Sequence, residues 1–285
     1  PFFGGRRVSR ELAFGVLAGR RTGGVVADHY TTSARKAERA LLDMLQSGQP
    51  VVLQVDMGFL PYFDFGGTDY HFGGHVIVAC GYDPGTRQVL IADREADLHP
   101  VSLEALARAR GSTHKPFPPR HCWFTFGFSG KRLPTPDEVR AAIREQAHDM
   151  LHPPVRNIGV AGIHKAGKEV VRWPKLMDRH GLKWALFNAY IFITPVGGTG
   201  GGVFRYMFSR FLGEAADLTG DARLKSSADE FRSIADSWEA KGQWFKELSE
   251  MDDPAPLLDD ELRAWFAAQA DCEQAAWARL GELVG

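Results

Sequence analysis

Cysteine is scarce in this chain, and what little there is excludes several functions. Cys80, Cys122 and Cys272 are far apart, odd in number, and include no C-x-x-C pair. A disulfide framework or a zinc ribbon is therefore not expected. Neither sign of charge dominates: 34 Lys+Arg stand against 35 Asp+Glu, a formal net charge of −1. That balance removes the electrostatic ground for a nucleic-acid or anionic-membrane partner. No apolar run approaches the roughly 18 residues that a membrane span needs, and no secretory h-region opens the chain. A reduced, cytoplasmic protein is the expectation. There is no fixed-period repeat, and no low-complexity tract except "GGTGGG". An initiating methionine is also missing. The opening "PFFGGRRVSRELAFG" reads like the interior of a domain, so a preceding segment is expected.

What is present describes an ordinary globular protein, with 44% hydrophobic and 24% charged residues. In "SARKAERALLDMLQSGQP" the residues Ala34, Ala37, Leu41, Leu42 and Leu45 make a helical stripe that Gly48 and Pro50 stop. "VVLQVDMGFL" starts as a buried strand. Residues 75 to 82, "RQVLIAD" and 121 to 130 read as further strands, with "DPGT" a turn between two of them. Short strands with few helices predict an antiparallel sheet in an α+β domain over 1–130. The texture then changes. Thr135, Pro136 and Glu138 form the start of a capped helix, and nearly everything in 131–285 reads as helical. Pro174 and Gly181 bracket a short helix, "WALFNAYIFI" reads as buried, a helix stops at Gly220, and two long amphipathic stretches cover 221–249 and 256–283. Trp184, Phe187, Tyr190, Phe204, Phe208 and Phe211 suit a core stripe better than a cofactor box.

The stretch "HVIVACGYDPGTRQVLIAD" places His75 at the start of one strand and Asp93 at the end of the next. A three-residue loop at Asp83–Gly85, with Gly85 left-handed, pairs Tyr82 with Thr86, Ala79 with Val89, and His75 with Asp93. Cross-strand Cβ atoms about 4.5 to 5.5 Å apart allow a carboxylate–imidazole hydrogen bond. A two-residue loop instead sends Asp93 to the other face. If the pair forms, the carboxylate sets the imidazole tautomer and leaves the second nitrogen to take a proton from a nucleophile. The competing reading is a surface histidine and an ordinary turn aspartate.

Other residues stay open between roles. His71 and His75 are spaced for a metal only on a helix, which Gly73 and Gly74 oppose, so no metal is expected. Asp56, Tyr62 and Tyr70 gather at strand ends, either to bind substrate or to satisfy turn groups. The glycine run before "VFR", with Thr199 and Arg205, offers backbone N–H groups to an anion or serves as a plain connector. None of the three cysteines is a convincing nucleophile. Cys80 points away from His75, Cys122 reads as core, and Cys272 sits in the last helix.

"VDMGFLPYF", "YHFGGH" and "GYD" resemble the N-terminal domain of the butirosin-biosynthesis protein H family. The helical remainder, with "GGTGGGVFRYMFSRFLGEAADLTGD", resembles the uncharacterised domain that usually follows it. The resemblance implies a papain-like, cysteine-peptidase-like α+β domain whose N-terminal portion precedes residue 1. It also implies acyl transfer from a carrier-protein thioester to a small-molecule amine in natural-product biosynthesis. His75 would be the general base, Asp93 its orienting group, and the nucleophilic cysteine would lie upstream. No cofactor is implied beyond the phosphopantetheine arm of an acyl carrier protein, and oligomeric state is left open. A hydrolase or amidase on the same scaffold, or a non-catalytic binding protein, are the alternatives.

Overall fold

A computed structural model describes residues 14–115, 117–197 and 201–285. They form two compact units, one up to Arg132 and one from Leu133 to Gly285. The class is α+β: an antiparallel sheet in the first part, then helices.

The first unit runs α1 (Phe14–Thr22), β1 (Val25–His29), α2 (Ala34–Gln46), β2 (Val51–Val55), a 3-10 turn (Met57–Phe59), β3 (His75–Asp83), β4 (Gln88–Ala92), β5 (His99–Ser102), α3 (Leu103–Gly111) and β6 (Trp123–Gly127). The six strands lie in the order β1-β6-β2-β3-β4-β5, every neighbouring pair antiparallel. Strand alternation decides which face is apolar. Val51, Leu53 and Val55, then Ile77 and Ala79, then Val89, Ile91 and Val101 are all buried, and they join Leu41 of α2 and Leu103 and Leu106 of α3 in one core. Burying each of the Val, Leu and Ile side chains contributes about 1.5–3 kcal/mol. Ser33 caps α2 by accepting from the Lys36 N–H at 3.3 Å. Ser102 does the same for α3, accepting from Ala105.

Four elements of this unit escaped the sequence reading: α1, β1, β5 and α3. β5 carries Pro100, which a strand tolerates at a sheet edge because it has no N–H to give; β5 is the last strand of the order. β1 has no clean alternation, being half-exposed along its length.

The second unit holds α4 (Pro136–Leu151), α5 (Gly159–Val170), α6 (Trp173–Leu176), α7 (Arg179–Ile193), α8 (Gly201–Thr219), α9 (Arg223–Glu250) and α10 (Asp260–Leu283). The Thr135 capping box forms as expected, with Pro136 in the first turn. Gly220, at φ 69°, ends α8 in the left-handed conformation that glycine adopts without strain. The expectation for α7 needs correction. Its buried side is Leu182, Ala185, Leu186, Ala189 and Ile193, whereas Trp184 is 50% and Phe187 37% exposed. Tyr190, Phe208 and Phe211 do pack against the core, whose fully buried aromatics are Phe231, Phe245 and Phe266, with Trp173, Trp238 and Trp277 beside them.

Candidate active site

β2 and β3 bring the residues of the site to one end of the sheet. Val55, the last residue of β2, pairs with His75, the first of β3. Leu53 and Ile77 pair next, so His75 stands at the rim of the buried face rather than on the solvent face. The His75 Nε2 hydrogen bonds to Asp93 Oδ2 at 2.7 Å. Both side chains are well shielded, 16% and 3% exposed.

The pair forms although the expected register does not. Tyr82 pairs with Val89 and Asp83 with Gln88, leaving four residues, Pro84–Arg87, in the turn. Arg87 rather than Gly85 takes the left-handed conformation, at φ 55°, and Asp83 anchors the turn by accepting from Gly85 N–H and Thr86 Oγ1 at 2.8 Å each. At Tyr82 the partner is three residues further along than expected, an odd slip that reverses faces. A β-bulge between Ala79 and Gly81 then takes one residue back, so Ala79 pairs with Ile91 and Val78 with Ala92. The net slip at His75 is two. Asp93 therefore returns to the His75 face, reaching it diagonally from just past the end of β4.

Asp93 has a second partner. Tyr62 Oη donates to the same Oδ2 at 2.9 Å. Burial pushes the Asp93 carboxyl upward, but the His75 and Tyr62 hydrogen bonds outweigh it and leave it below its ordinary value. It is thus a carboxylate near neutral pH. Burial, then the adjacent Asp93 charge, drive the Tyr62 phenol the other way, so it stays a donor. Around the pair stand Phe63, edge-on to His75 at 5.5 Å, and His99, stacked on Tyr62 at 4.0 Å. Rings then continue from Phe63 to Phe65 and from Phe65 to Tyr70, with centroids 5.7 and 4.7 Å apart.

Asp56 is fully buried, and its four acceptor positions are all taken by local groups. Oδ1 accepts from the Gly58 and Phe72 N–H groups, both at 3.0 Å. Oδ2 meets His71 Nδ1 at 2.9 Å and the Ser112 hydroxyl at 2.5 Å. Despite burial, these bonds hold its carboxyl below the ordinary range. Of the two roles considered for Asp56, this geometry is that of a fastener for the 56–73 loop. His71 also meets Asp69 through Nε2 at 3.2 Å and stacks on His114 at 3.5 Å. Ser112, Phe63, His99 and His114 were not singled out from sequence. Phe63 ends the stretch "VDMGFLPYF" without a pattern of its own, the others lie in segments without periodicity or motif, and only the fold brings them here.

Thr199 lies outside the described residues. Arg205, expected to face an anion, is buried in the helical unit instead, where its Nε and Nη2 donate to Glu273 at 3.2 and 2.7 Å. Trp238 and Trp277 also donate to this fully buried carboxylate. Among the cysteines, Cys80 is the extra, exposed residue of the bulge, and Cys122 is fully buried. Burial pushes the Cys122 thiol up, and burial together with Glu230 and Glu273 does the same at Cys272. Neither is thereby favoured as a thiolate. No helix among the described residues is long and apolar enough to cross a membrane.

Two family comparisons cover almost the whole chain. Residues 1–94 match the family described as butirosin biosynthesis protein H, N-terminal, a span that includes both His75 and Asp93. Residues 104–280 match a domain of unknown function, DUF4872. The second match starts inside α3, so the family border falls within the sheet-bearing unit rather than between the two units. No curated protein matches the chain. With more than half its length matched, the chain belongs to the DUF4872 family, joined to a butirosin-biosynthesis-protein-H-type N-terminal region.

Proposed function

We propose that this family member is a biosynthetic enzyme that moves an acyl group from a carrier-protein thioester to a small-molecule amine. The His75–Asp93 hydrogen bond carries the proposal, and the match to a family named for antibiotic biosynthesis supports it. On this reading the first unit is a papain-like scaffold.

The chemistry follows from the tautomer. A carboxylate on Nε2 keeps the proton there, leaving Nδ1 as the base, and Nδ1 has no hydrogen-bond partner among the described residues. Neither Cys80 nor Cys122 is the thiol it serves. Cys80 is five residues along β3, about 16 Å away at 3.3 Å per residue, and Cys122 is sealed in the core. The reading takes the thiol from a segment preceding residue 1. Nδ1 accepts the thiol proton, and the thiolate attacks the thioester carbonyl. The carrier sulfur leaves and takes the proton back from His75. The amine then attacks the acyl-enzyme, gives a proton to His75, and the enzyme sulfur leaves and is reprotonated. The rings of Phe63, Phe65 and Tyr70 would line the acyl group or the phosphopantetheine arm.

Incubating the full-length protein with acyl-loaded carrier protein, followed by intact-mass measurement, tests this. The expected result is an acyl adduct that an amine discharges. His75→Ala should lower its turnover by about 10²- to 10⁴-fold, with Asp93→Asn slowing it while the protein stays folded. A full-length protein that never acquires the adduct, or a fully active His75→Ala, overturns the mechanism. Discharge by water at the same rate with or without amine would make it a hydrolase.

A further inference from the structure

We infer that Tyr62 is a positioning residue of the His75–Asp93 pair, holding the carboxylate in the direction that the sheet itself does not impose. The inference rests on the reading of His75 as the base.

The need for such a residue comes from the strand ends. β4 stops at Ala92, so Asp93 lies in coil with no ladder partner to set its backbone or its side-chain direction. The bulge leaves it diagonal to His75, an approach at which Cα atoms stand about 7–8 Å apart. At that spacing a carboxylate rotamer a few tens of degrees away would lose the imidazole. Tyr62 closes off this freedom. Its hydroxyl, 2.9 Å from Oδ2, comes from a separate segment and reaches the same oxygen that His75 uses.

The phenol is itself firmly placed. The chain from Asp56 to Phe63 is a succession of tight turns, with Phe59 N–H on Asp56 O, Leu60 N–H on Met57 O and Phe63 N–H on Leu60 O. Asp56, buried and saturated, anchors its start. The far face of the Tyr62 ring is covered by the His99 imidazole, stacked at 4.0 Å with 15° between planes, and His99 is tied to Glu95 at 3.1 Å. An aromatic residue used to greet substrate would point its hydroxyl outward. This one spends it on a carboxylate that is 3% exposed.

Two donors on one oxygen also divide that oxygen's charge. Removing the phenol should concentrate it on the His75 N–H, shortening that hydrogen bond while letting the carboxylate swing between rotamers. It should also raise the Asp93 pKa, because one stabilising hydrogen bond is gone.

Tyr62→Phe keeps the ring and its stacking and removes only the hydroxyl. The readout independent of turnover is the low-field proton resonance of His75 Nε2–H, assigned by its disappearance in Asp93→Asn. In Tyr62→Phe it should shift further downfield or broaden. The acid limb of the kcat profile should move to higher pH, and kcat should fall about 10-fold with KM unchanged. An unmoved resonance with a raised KM would make Tyr62 a substrate contact and overturn the inference. Should the resonance respond while wild-type protein transfers no acyl group, the positioning role stands and the acyl-transfer reading falls. A matching urea midpoint for Tyr62→Phe and wild type excludes misfolding; if the midpoints differ, Tyr62→Leu, which also loses the stacking, must show the same resonance change.

Discussion

Asp56→Ala should detach the loop that carries Tyr62. In the folded protein the carboxylate accepts from two backbone N–H groups, one hydroxyl and one imidazole, at 2.5 to 3.0 Å, with no exposure to water. A hydrogen bond to a charged group contributes about 1.5–3 kcal/mol, and each buried donor left without a partner costs about 1–3 kcal/mol. The four losses do not add, because the loop relaxes towards water, and deleting a buried charge returns its desolvation cost. A net loss of about 3 kcal/mol in the first unit is the working figure, a fall in its Tm on the order of 10 °C. Urea denaturation followed at a residue of that unit measures the loss, and amide hydrogen exchange should speed most at Gly58 and Phe72. Asp56→Asn adds the pH dependence. The folded carboxyl sits below its ordinary 3.8, so its stabilisation is present above that unfolded value and is lost as pH falls through the folded one. The advantage of wild type over Asp56→Asn should therefore shrink below about pH 4. A loss under about 0.5 kcal/mol for Asp56→Ala, the size of an ordinary surface change, together with a raised KM, would refute the fastening role.

Glu273→Ala should destabilise the helical unit by about 3–5 kcal/mol, since it removes the buried carboxylate that accepts from Arg205 Nε and Nη2 and from two indole N–H groups; a midpoint within 0.5 kcal/mol of wild type in urea would show that the network relaxes freely. Deleting Cys80 removes the unopposed bulge residue and lets Gly81 opposite Leu90 run straight into Ala79 opposite Ile91, so Asp93 should stay on the His75 face and the low-field His75 resonance should persist, as it should in Cys80→Ala. A deletion variant that loses the resonance would mean that the hairpin slips to a new register instead of closing the bulge.

Much of this molecule was legible from its residues, for reasons that differ by element. α2 and α4 announced themselves through a period-3.6 stripe and a capping box, signals that act within one turn of chain. β2 and β3 were visible because both faces of local alternation are written in sequence. β1 was not, since a half-exposed strand carries no pattern. α7 was misjudged because an apolar composition cannot say which side faces the core, and its Trp184 and Phe187 face outward. At the candidate site the residue pair was legible, while its geometry was not. The turn length was wrong by an odd number, and the bulge at Cys80, which nothing in "VIVACGYD" marks, corrected it to an even one. The face of a strand residue depends only on the parity of the register, so His75 and Asp93 met by a route different from the one expected. The cost of that route is a carboxylate beyond the ladder that the sheet does not orient. A tyrosine from a distant turn, which sequence offered only as a possible substrate contact, fills that need, and local pattern could not have assigned it because its partner lies 31 residues away.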